Sequence, residues 1–503
     1  MVSRLSRIEY KWLVAIVFMF GLFMDILDST AVNVAIPKLQ DDFHAPLSTV
    51  EWTVTGYLLS LALFIPGAGF LSDRFGTKRV FLLAMAIFVI GSALCGQAQS
   101  IEQLVAFRFL QGVGGGMMTP VSTAILSREF PGEERAKASA LISIPWILAP
   151  ITGPVLGGYL VTYASWRWIF YINLPVGIIG FVLGLVVLRE HKEPYAQGHF
   201  DLLGLFTGGA GVAMLLYALS QAASQPWTSR DVTVWGLAGI ACLVVFCLIE
   251  LRASPPILDL RLFKLRLFTL GTAITGWANA SYGGFILLLT LFLQNLQHRS
   301  PAEAGLIQAP SAFGSAFALF FAAKFYGRVG PRRMMAIGFC SGGLMMLPFG
   351  IVDASTSAIV VIVCLALRGL TTPFAFTASQ TIVYGPLDNA QQGPASSIYN
   401  TNRQVATSFG VALLATIQVN RYQSHLSAAV AAAHLPAATK AMMDHAQALS
   451  FHDAFLASAA LMVLSGVLGL LVNDRKAREA MQHHIHAVRK PASTVEPAAA
   501  VGD

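Results

Sequence analysis

The chain has 503 residues, of which 55% are hydrophobic and only 12% charged, and its mean hydropathy is +0.64. A soluble protein carries roughly twice this charged fraction, so the composition excludes a soluble enzyme or binding module. The formal net charge of +7 does not indicate nucleic-acid binding, because the basic residues stand in short segments between apolar runs.

Apolar runs near 20 residues recur along the chain, and each is long enough to cross a ~30 Å hydrocarbon layer. Continuous apolar runs without alternation predict helices rather than barrel strands. The first run follows basic residues, but it is too long and too acidic for a cleaved signal peptide. We therefore predict an all-α polytopic membrane protein with about 14 transmembrane helices. The predicted spans are 13–36, 50–71, 80–98, 103–126, 137–160, 169–188, 201–220, 232–252, 268–295, 303–326, 334–352, 358–383, 393–419 and 453–473.

The segment 420–452, between the last two spans, is predicted to be a solvated loop. It contains four histidines, whose irregular spacing makes a metal site the less favoured alternative to a solvated loop. All five cysteines fall inside apolar runs, which is typical of buried small hydrophobic residues. We expect neither a metal nor a cofactor.

Lys and Arg concentrate in alternate loops and in both termini. By the positive-inside rule that side is cytoplasmic, so both termini are predicted to be cytoplasmic and the number of spans even.

A weak internal repeat relates the two ends of the chain. "DRFGTKR" at 73–79 resembles "GRVGPRR" at 327–333, and "LQGVGGGMMTP" at 110–120 resembles "LRGLTTPFAFT" at 367–377. Repeated halves around a site at the membrane midplane are typical of transporters. We predict an N-terminal six-helix half at 1–190, two inserted transmembrane helices with linkers at 191–264, a C-terminal six-helix half at 265–475, and a disordered cytoplasmic tail at 476–503.

Two carboxylates stand inside the first apolar run. Asp25 and Asp28 are three residues apart and share a helix face. An ionised Asp near the membrane centre costs ~2.5–3.5 kcal/mol, so such a residue is a functional candidate by default. Two nearby carboxylates in an apolar site resist joint ionisation, and we expect at least one of them to carry a proton in the transport cycle, with Asp28 the first candidate.

Arg108 is the predicted partner of Asp28. Each residue lies well inside its span, Asp28 ~12 Å from the outer end at 1.5 Å per residue and Arg108 at a similar depth. Protonation of Asp28 would then weaken an ion pair and couple charge to shape. The alternative is a static ion pair that holds two helices together.

Aromatic and amide residues in the spans that should line a central cavity form the candidate substrate site. A cavity of this kind suits amphipathic organic molecules. The deep bases outnumber the deep acids, which leaves neutral, zwitterionic and weakly acidic substrates as plausible as lipophilic cations. The candidates are Asn33, Trp146, Trp277, Asn279, Tyr282, Phe285, Gln294, Tyr399, Asn400 and Arg403.

The chain resembles the 14-span drug:proton antiporters of the major facilitator superfamily. The resemblance covers nearly the whole chain and departs from the family pattern at Thr77, where a basic residue is usual, and at Ala149, where Gly is usual. The motifs that carry it are "LDSTAVNVAIP" (27–37), "GFLSDRFGTKR" (69–79), "RFLQGVGGG" (108–116), "APITGPVLGGYL" (149–160) and "WRWIFYINLPVG" (166–177).

The resemblance implies the major facilitator fold and a role for each motif. Arg108 is assigned to proton relay. The second motif is implied to be a latch on the cytoplasmic side, formed by Gly69, Asp73, Arg74, Gly76, Lys78 and Arg79. The fourth is implied to be a tight seam that moves during exchange, formed by Gly153, Pro154, Gly157 and Gly158.

These observations favour a proton-coupled antiporter for multidrug efflux in the bacterial inner membrane. It is expected to work by alternating access and to confer drug resistance. The expected partners are the lipid bilayer, a small organic substrate and protons; an accessory export partner is unknown. The rivals are a proton-coupled importer on the same fold, a membrane-embedded enzyme, and a signalling or scaffold protein. No nucleophile–base or metal pattern lies in the spans, and the chain has no Walker-type sequence for ATP.

Overall fold

The computed structural model describes residues 9–129, 135–190, 201–222, 225–253, 256, 258–387, 389–433 and 439–474. The predicted tail at 476–503 lies outside these residues. Within them the chain is helical, with short connections and no strand.

Fourteen long helices account for most of the described residues. A π-helical segment at Phe292–Leu296 extends the ninth of them, and one-turn helices at Leu47–Val50 and Arg167–Tyr171 precede the second and the sixth. The long helices are α1 (Tyr10–Phe43), α2 (Trp52–Phe75), α3 (Thr77–Gln97), α4 (Ile101–Glu129), α5 (Arg135–Tyr163), α6 (Asn173–Val187), α7 (Leu202–Gln221), α8 (Arg230–Arg252), α9 (Arg266–Leu291), α10 (Pro301–Val329), α11 (Pro331–Leu344), α12 (Ala358–Tyr384), α13 (Asn389–Ala433) and α14 (Lys440–Gly469).

These helices confirm the predicted class, an all-α polytopic membrane protein with about 14 spans. Nine segments in the described residues are by themselves long and apolar enough to cross a membrane. Each predicted span overlaps one long helix, because continuous apolar sequence of this length forms helix in lipid. The span predicted at 334–352 is too long, since α11 ends at Leu344 and a separate 3-10 helix follows at Leu347–Gly350.

The helices form two sets with the same packing pattern. In the first set α2 packs on α4, α1 on α5 and α3 on α4; in the second set α10 packs on α12, α9 on α13 and α11 on α12. The two sets meet where α5 packs on α10 and where α2 packs on α13. By these contacts α1–α6 correspond in order to α9–α14, while the domain boundaries at 190 and 264 stay predictions.

The inserted helices α7 and α8 pack on each other, and α7 also reaches α2 and α13. The end of α7 is bonded to both sets. The hydroxyl of Ser220 donates to the Ser48 carbonyl (3.1 Å), and Thr416 of α13 donates to the Leu219 carbonyl (2.9 Å). Helix α7 therefore links the two sets at the end of the bundle where α1 ends and α2 begins, called here the α1–α2 end. The opposite end is called the α2–α3 end.

The predicted loop at 420–452 is wrong, because most of this segment is helical. Helix α13 continues to Ala433 and α14 begins at Lys440. The segment is rich in alanine, the strongest helix former, so the helices continue past the apolar region. His425 Nε2 lies 2.9 Å from Asp453 Oδ2, His434 lies outside the described residues, and no group of three metal-binding side chains occurs in the part of the chain that the structure describes.

Candidate functional site

The centre of the first helix set holds a buried polar cluster around Asp28, called here the Asp28 cluster. Asp28 of α1 is 1% exposed and Arg108 of α4 is 0% exposed. Arg108 Nη1 donates to Asp28 Oδ2 and forms an ion pair with it. The other carboxylate oxygen, Oδ1, accepts from Gln111 Nε2 (3.0 Å) and from Asn173 Nδ2 (2.8 Å). The structure thus brings together the two residues that the sequence predicted to meet.

Ser92 of α3 completes the Asp28 cluster. Its hydroxyl accepts from Gln111 Nε2 (3.2 Å) and Asn173 Nδ2 (3.0 Å), and donates to the Phe170 carbonyl (2.9 Å). Four helices, α1, α3, α4 and α6, are therefore joined through one hydrogen-bonded cluster.

The guanidinium of Arg108 is held on all sides. Nε donates to the Thr53 carbonyl (2.8 Å), and Nη1 also donates to Gln111 Oε1 (2.7 Å). The guanidinium carbon lies 4.0 Å from the centre of the Tyr57 ring, a cation–π contact. A charge this deep is tolerated because it is paired and hydrogen-bonded.

Asp25 lies one turn before Asp28 but has different partners. It is partly buried, and its Oδ1 accepts a hydrogen bond from the hydroxyl of Tyr57 on α2. The positive charge of Arg403, on α13 of the other set, lies close enough to act on the Asp25 carboxylate. Asp25 is therefore oriented towards the region between the two sets, whereas Asp28 is enclosed within the first.

Sequence reasoning missed four members of this site, namely Tyr57, Ser92, Gln111 and Asn173. Two of them stand inside quoted motifs, Gln111 in "RFLQGVGGG" and Asn173 in "WRWIFYINLPVG". A buried amide beside a motif arginine was the available signal. The partners themselves depend on packing between distant segments, as the 145-residue separation of Asp28 and Asn173 illustrates.

The turn between α2 and α3 is bonded to the end of α6 through Glu190, another residue that the sequence did not single out. Glu190 Oε1 accepts from the Lys78 backbone N–H (3.1 Å), and Oε2 lies 3.5 Å from Arg79 Nε. Gly76 has φ +101°, and a Cβ at this position would collide with the Glu190 carboxylate. A carboxylate at the start of α3 also interacts favourably with the positive end of the helix dipole.

The other residues of the predicted latch have different positions. Arg74 is exposed beside Phe70 and Phe75, and a Cβ at Gly69 would meet no atom within 4 Å. The side chain of Asp73 lies outside the described part of the chain.

The second copy of the turn repeats this arrangement in the second set. Gly330 has φ +86°, and the Arg332 backbone N–H donates to Asp474 Oδ1 (2.8 Å) at the end of α14. The sequence repeat at 73–79 and 327–333 thus corresponds to two turns that are each capped by a carboxylate following the sixth helix of their set.

The small residues of α5 form close contacts on two sides. A Cβ at Gly157 would lie 2.9 Å from the Ala31 carbonyl oxygen of α1, and one at Gly153 would collide with Thr30 of the same helix. A Cβ at Gly158 would collide with the Pro301 carbonyl oxygen of α10, and one at Gly305 of α10 with the Pro154 carbonyl oxygen. Helix α5 therefore packs tightly on its own set through α1 and on the other set through α10.

The predicted cavity residues divide into partly exposed and buried groups. Asn33, Asn400 and Arg403 are partly exposed, and Asn279 is 7% exposed. Trp277 and Tyr282 are 38% and 37% exposed, but they lie about 140° apart around α9 and so face different surroundings.

Three of these candidates are engaged in packing or in a contact between helices. Phe285 is fully buried against other phenylalanines, and Tyr399 is buried against Tyr384. Gln294 Nε2 donates to the Val34 carbonyl of α1 (2.9 Å) and so joins the two sets at the α1–α2 end. The side chain of Trp146 lies outside the described part of the chain.

Comparisons with known proteins agree with this architecture. Residues 18–411 match the Major Facilitator Superfamily. The chain is 34% identical over 422 residues to the Multidrug resistance protein B homolog of Mycobacterium tuberculosis (strain CDC 1551 / Oshkosh), covering 82% of this chain and 77% of that protein. It is 31% identical over 415 residues to the Multidrug export protein EmrB of Haemophilus influenzae, covering 82% and 81%.

A solved structure shares the fold at low sequence identity. It is the crystal structure of a bacterial homologue of the human lysosomal transporter Spinster, in an inward-facing and unoccupied conformation. It matches with a TM-score of 0.64 at 14% identity, covering 94% of this chain and 98% of that chain. The chain therefore belongs to the Major Facilitator Superfamily, as a multi-pass membrane transporter of the multidrug-efflux type.

Proposed function

We propose that this transporter is a proton-coupled antiporter that exports amphipathic organic compounds, such as drugs and toxic metabolites, across the bacterial inner membrane by alternating access. The observation that carries the proposal is the Asp28 cluster, a fully buried carboxylate paired with a fully buried guanidinium. A static ion pair in this position costs desolvation without a clear gain in stability, whereas a titratable pair provides two states.

The proposed coupling follows from the contacts of Asp28. When Asp28 takes up a proton, its carboxyl loses the charge that pairs with Arg108, and the guanidinium is left buried without a counter-charge. Breaking one partner of a buried pair costs about 3–5 kcal/mol. That cost is large enough to drive a rearrangement of α1, α3, α4 and α6, which meet in the cluster.

Asp25 is proposed to work at the interface between the two helix sets. It is partly buried, bonded to Tyr57 and near the charge of Arg403 on the other set. Substrate entering between the sets would disturb these interactions first. Tyr57 then links Asp25 to the Asp28 cluster, because its hydroxyl donates to Asp25 and its ring lies against Arg108, the partner of Asp28.

Alternating access requires the two sets to rock against each other. The seams supporting this are α5 with α10 and α2 with α13. By the distribution of Lys and Arg, the α1–α2 end faces the outside and both termini face the cytoplasm. The contacts of Gly158 with Pro301 and of Gln294 with Val34 then belong to an outer gate that is closed in this conformation.

The test is transport in proteoliposomes with an imposed pH gradient and a panel of amphipathic dyes. Wild-type protein should move substrate towards the acid side and stop when a protonophore is added. Asp28→Asn should abolish proton-driven accumulation but leave substrate binding measurable, because Asn keeps the size of Asp and cannot release a proton. Asp25→Asn should retain partial coupling.

Asp231→Asn is the matched control, since Asp231 is an exposed carboxylate at the start of α8. It should transport like the wild type. Full coupling in Asp28→Asn, with loss in Asp25→Asn, would reverse the two roles. Transport that needs ATP or sodium and ignores the pH gradient would contradict the proposal.

A further inference from the structure

The second helix set holds a buried guanidinium that meets no counter-charge among the described residues. Arg368 of α12 is 2% exposed. Its Nε and Nη2 are buried and have no hydrogen-bond partner, and no carboxylate pairs with it among the residues that the structure describes. Burying an unpaired charge is costly, so this arrangement calls for a ligand rather than for a packing explanation.

The two unpartnered nitrogens lie on one edge of the guanidinium. The Nε–H and one N–H of Nη2 point in the same direction, with the spacing of the two oxygens of a carboxylate. Such bidentate pairing is the strongest and most specific interaction that an arginine offers. A single unpaired nitrogen would not distinguish a carboxylate from a neutral acceptor, but an unpaired edge does.

A rigid aromatic platform holds this edge in place. The guanidinium carbon lies 4.4 Å from the centre of the Phe285 ring and 5.0 Å from that of Tyr282. Phe285 is itself fixed by Phe349 and Phe455, whose ring centres lie 5.3 Å and 5.5 Å away. Tyr282 is 37% exposed, so an open surface begins beside the arginine.

The first set shows what is missing in the second. There, Asp28 of α1 supplies the carboxylate that pairs with Arg108. The corresponding helix of the second set, α9, contains no Asp or Glu. Its polar contact with α14 is neutral, with the hydroxyl of Ser281 donating to the Ser458 carbonyl (2.7 Å). Among the described residues of the two sets, each set therefore has a buried arginine, but α1 supplies a carboxylate to its arginine and α9 does not.

We propose that Arg368 binds the carboxylate of the transported substrate, and hence that the substrates include amphipathic organic acids. The inference rests on the proposed export function and specifies its substrate class. The carboxylate pairs with the Nε–Nη2 edge, and the apolar part of the substrate lies along Tyr282. The edge itself is buried, so side chains beside it, such as the exposed Tyr282, must shift to admit the acid.

The experiment compares three probes, of which two have the same apolar body and the third has an alkyl chain of similar length. They are 11-(dansylamino)undecanoic acid, its methyl ester, and the cation dodecyltrimethylammonium. Binding to purified full-length protein is measured by dansyl fluorescence, with the cation as a competitor. Wild-type protein should bind the acid about tenfold or more tighter than the ester, as expected for a charge-assisted bidentate pair.

Arg368→Gln should weaken acid binding by about tenfold or more and change ester and cation binding by less than about twofold. Arg368→Lys, which keeps the charge but loses the planar edge, should fall between the two. Arg266→Gln is the matched control, because it removes an exposed base from the start of α9. It should leave all three affinities unchanged.

Equal loss for all three probes in Arg368→Gln, or no loss for the acid, would overturn the site. If that variant does not fold, equal affinity of the wild type for acid and ester overturns it instead. Proton-driven transport of the three probes by wild-type proteoliposomes separates the two proposals. If ester and cation are transported and no preference for the acid depends on Arg368, the antiport proposal holds and the carboxylate site at Arg368 is wrong. If acid binding depends on Arg368 but no probe is transported by the proton gradient, the carboxylate site holds and the antiport proposal is wrong.

Discussion

At the scale of single residues, the two arginines of the polar interior differ in how they are satisfied. Arg108 has a carboxylate, a carbonyl and an amide oxygen as acceptors. Arg368 has an aromatic platform and an unpaired edge. Because a buried charge without hydrogen bonds is costly, the first is suited to a switch within the protein and the second to an external ligand.

Asn173 is the residue that most directly positions Asp28 without carrying charge. Asn173→Ala removes one of the two amide donors to Asp28 Oδ1. We expect the free energy of unfolding to fall by about 1–3 kcal/mol, the cost of an unsatisfied buried acceptor. The pH profile of transport should also shift. Thermal unfolding of the purified protein and transport between about pH 5 and 9 check the two effects.

Asn402→Ala is the control for that prediction. Asn402 Nδ2 donates to the Thr272 carbonyl (3.0 Å), a hydrogen bond between α13 and α9 that involves no carboxylate. Its loss should lower stability without moving the pH profile. If both variants shift the profile equally, Asn173 has only a structural role.

At the scale of helices, α5 has two different interfaces at adjacent residues. Gly157 faces α1 of the same set, and Gly158 faces α10 of the other. Small residues permit this close approach of backbones in a membrane. The two glycines are neighbours in sequence, but one affects the stability of a set and the other affects closure between the sets.

Gly158→Ala should separate α5 from α10 at the α1–α2 end, because the new methyl group collides with the Pro301 carbonyl. We expect the overpacking to cost about 1–3 kcal/mol and to favour opening of that end. The measurement is the distance between spin labels at Tyr163 and Ser300, which should lengthen. Gly157→Ala, in contact with Ala31, should lower thermal stability and leave that distance unchanged; the opposite pattern would contradict the assignment.

The capped turns at the α2–α3 end permit a second prediction at this scale. Glu190→Ala removes the acceptor for the Lys78 N–H at the start of α3 and should cost about 1 kcal/mol, as for other helix caps. Glu190→Gln should cost less, since its amide oxygen still accepts. Asp474→Ala, at the equivalent turn, should resemble Glu190→Ala. Chemical or thermal unfolding measures all three, and equal stability of the Ala and Gln variants would exclude a capping role.

At the scale of the whole molecule, the two helix sets are equivalent in packing but not in chemistry. The carboxylates Asp25 and Asp28 both belong to α1, whereas α9 has none. The inserted helix α7 bonds to both sets at the α1–α2 end. The proton chemistry proposed above therefore belongs to the first set, and α7 must adjust if the α1–α2 end opens.

The orientation of the molecule is tested by labelling single cysteines in a background without the five native ones. Arg79→Cys and Ser427→Cys lie at opposite ends of the bundle, and both positions are exposed. Ser427→Cys should react with an impermeant reagent in intact cells, and Arg79→Cys only after permeabilisation. Labelling of both from the same side would contradict the helix count or the predicted orientation.

The sequence by itself determined the class of the molecule and the centre of its site. Apolar length is a local property that lipid converts directly into helix, so all the spans were predictable, although their ends were not, because helices such as α13 continue beyond the apolar region. Asp28 and Arg108 were predictable as a pair because buried charges are few and need partners.

Only the tertiary structure decided which neutral groups complete the site. Asn173 meets Asp28 across 145 residues of chain, and Glu190 meets Lys78 across 112. Amides and surface carboxylates are too common in sequence to mark such partners, and their hydrogen bonds depend on the packing of helices. Among the described residues the same packing leaves the Nε–Nη2 edge of Arg368 without a partner, since α9 brings the rings of Tyr282 and Phe285, and no carboxylate, against its guanidinium.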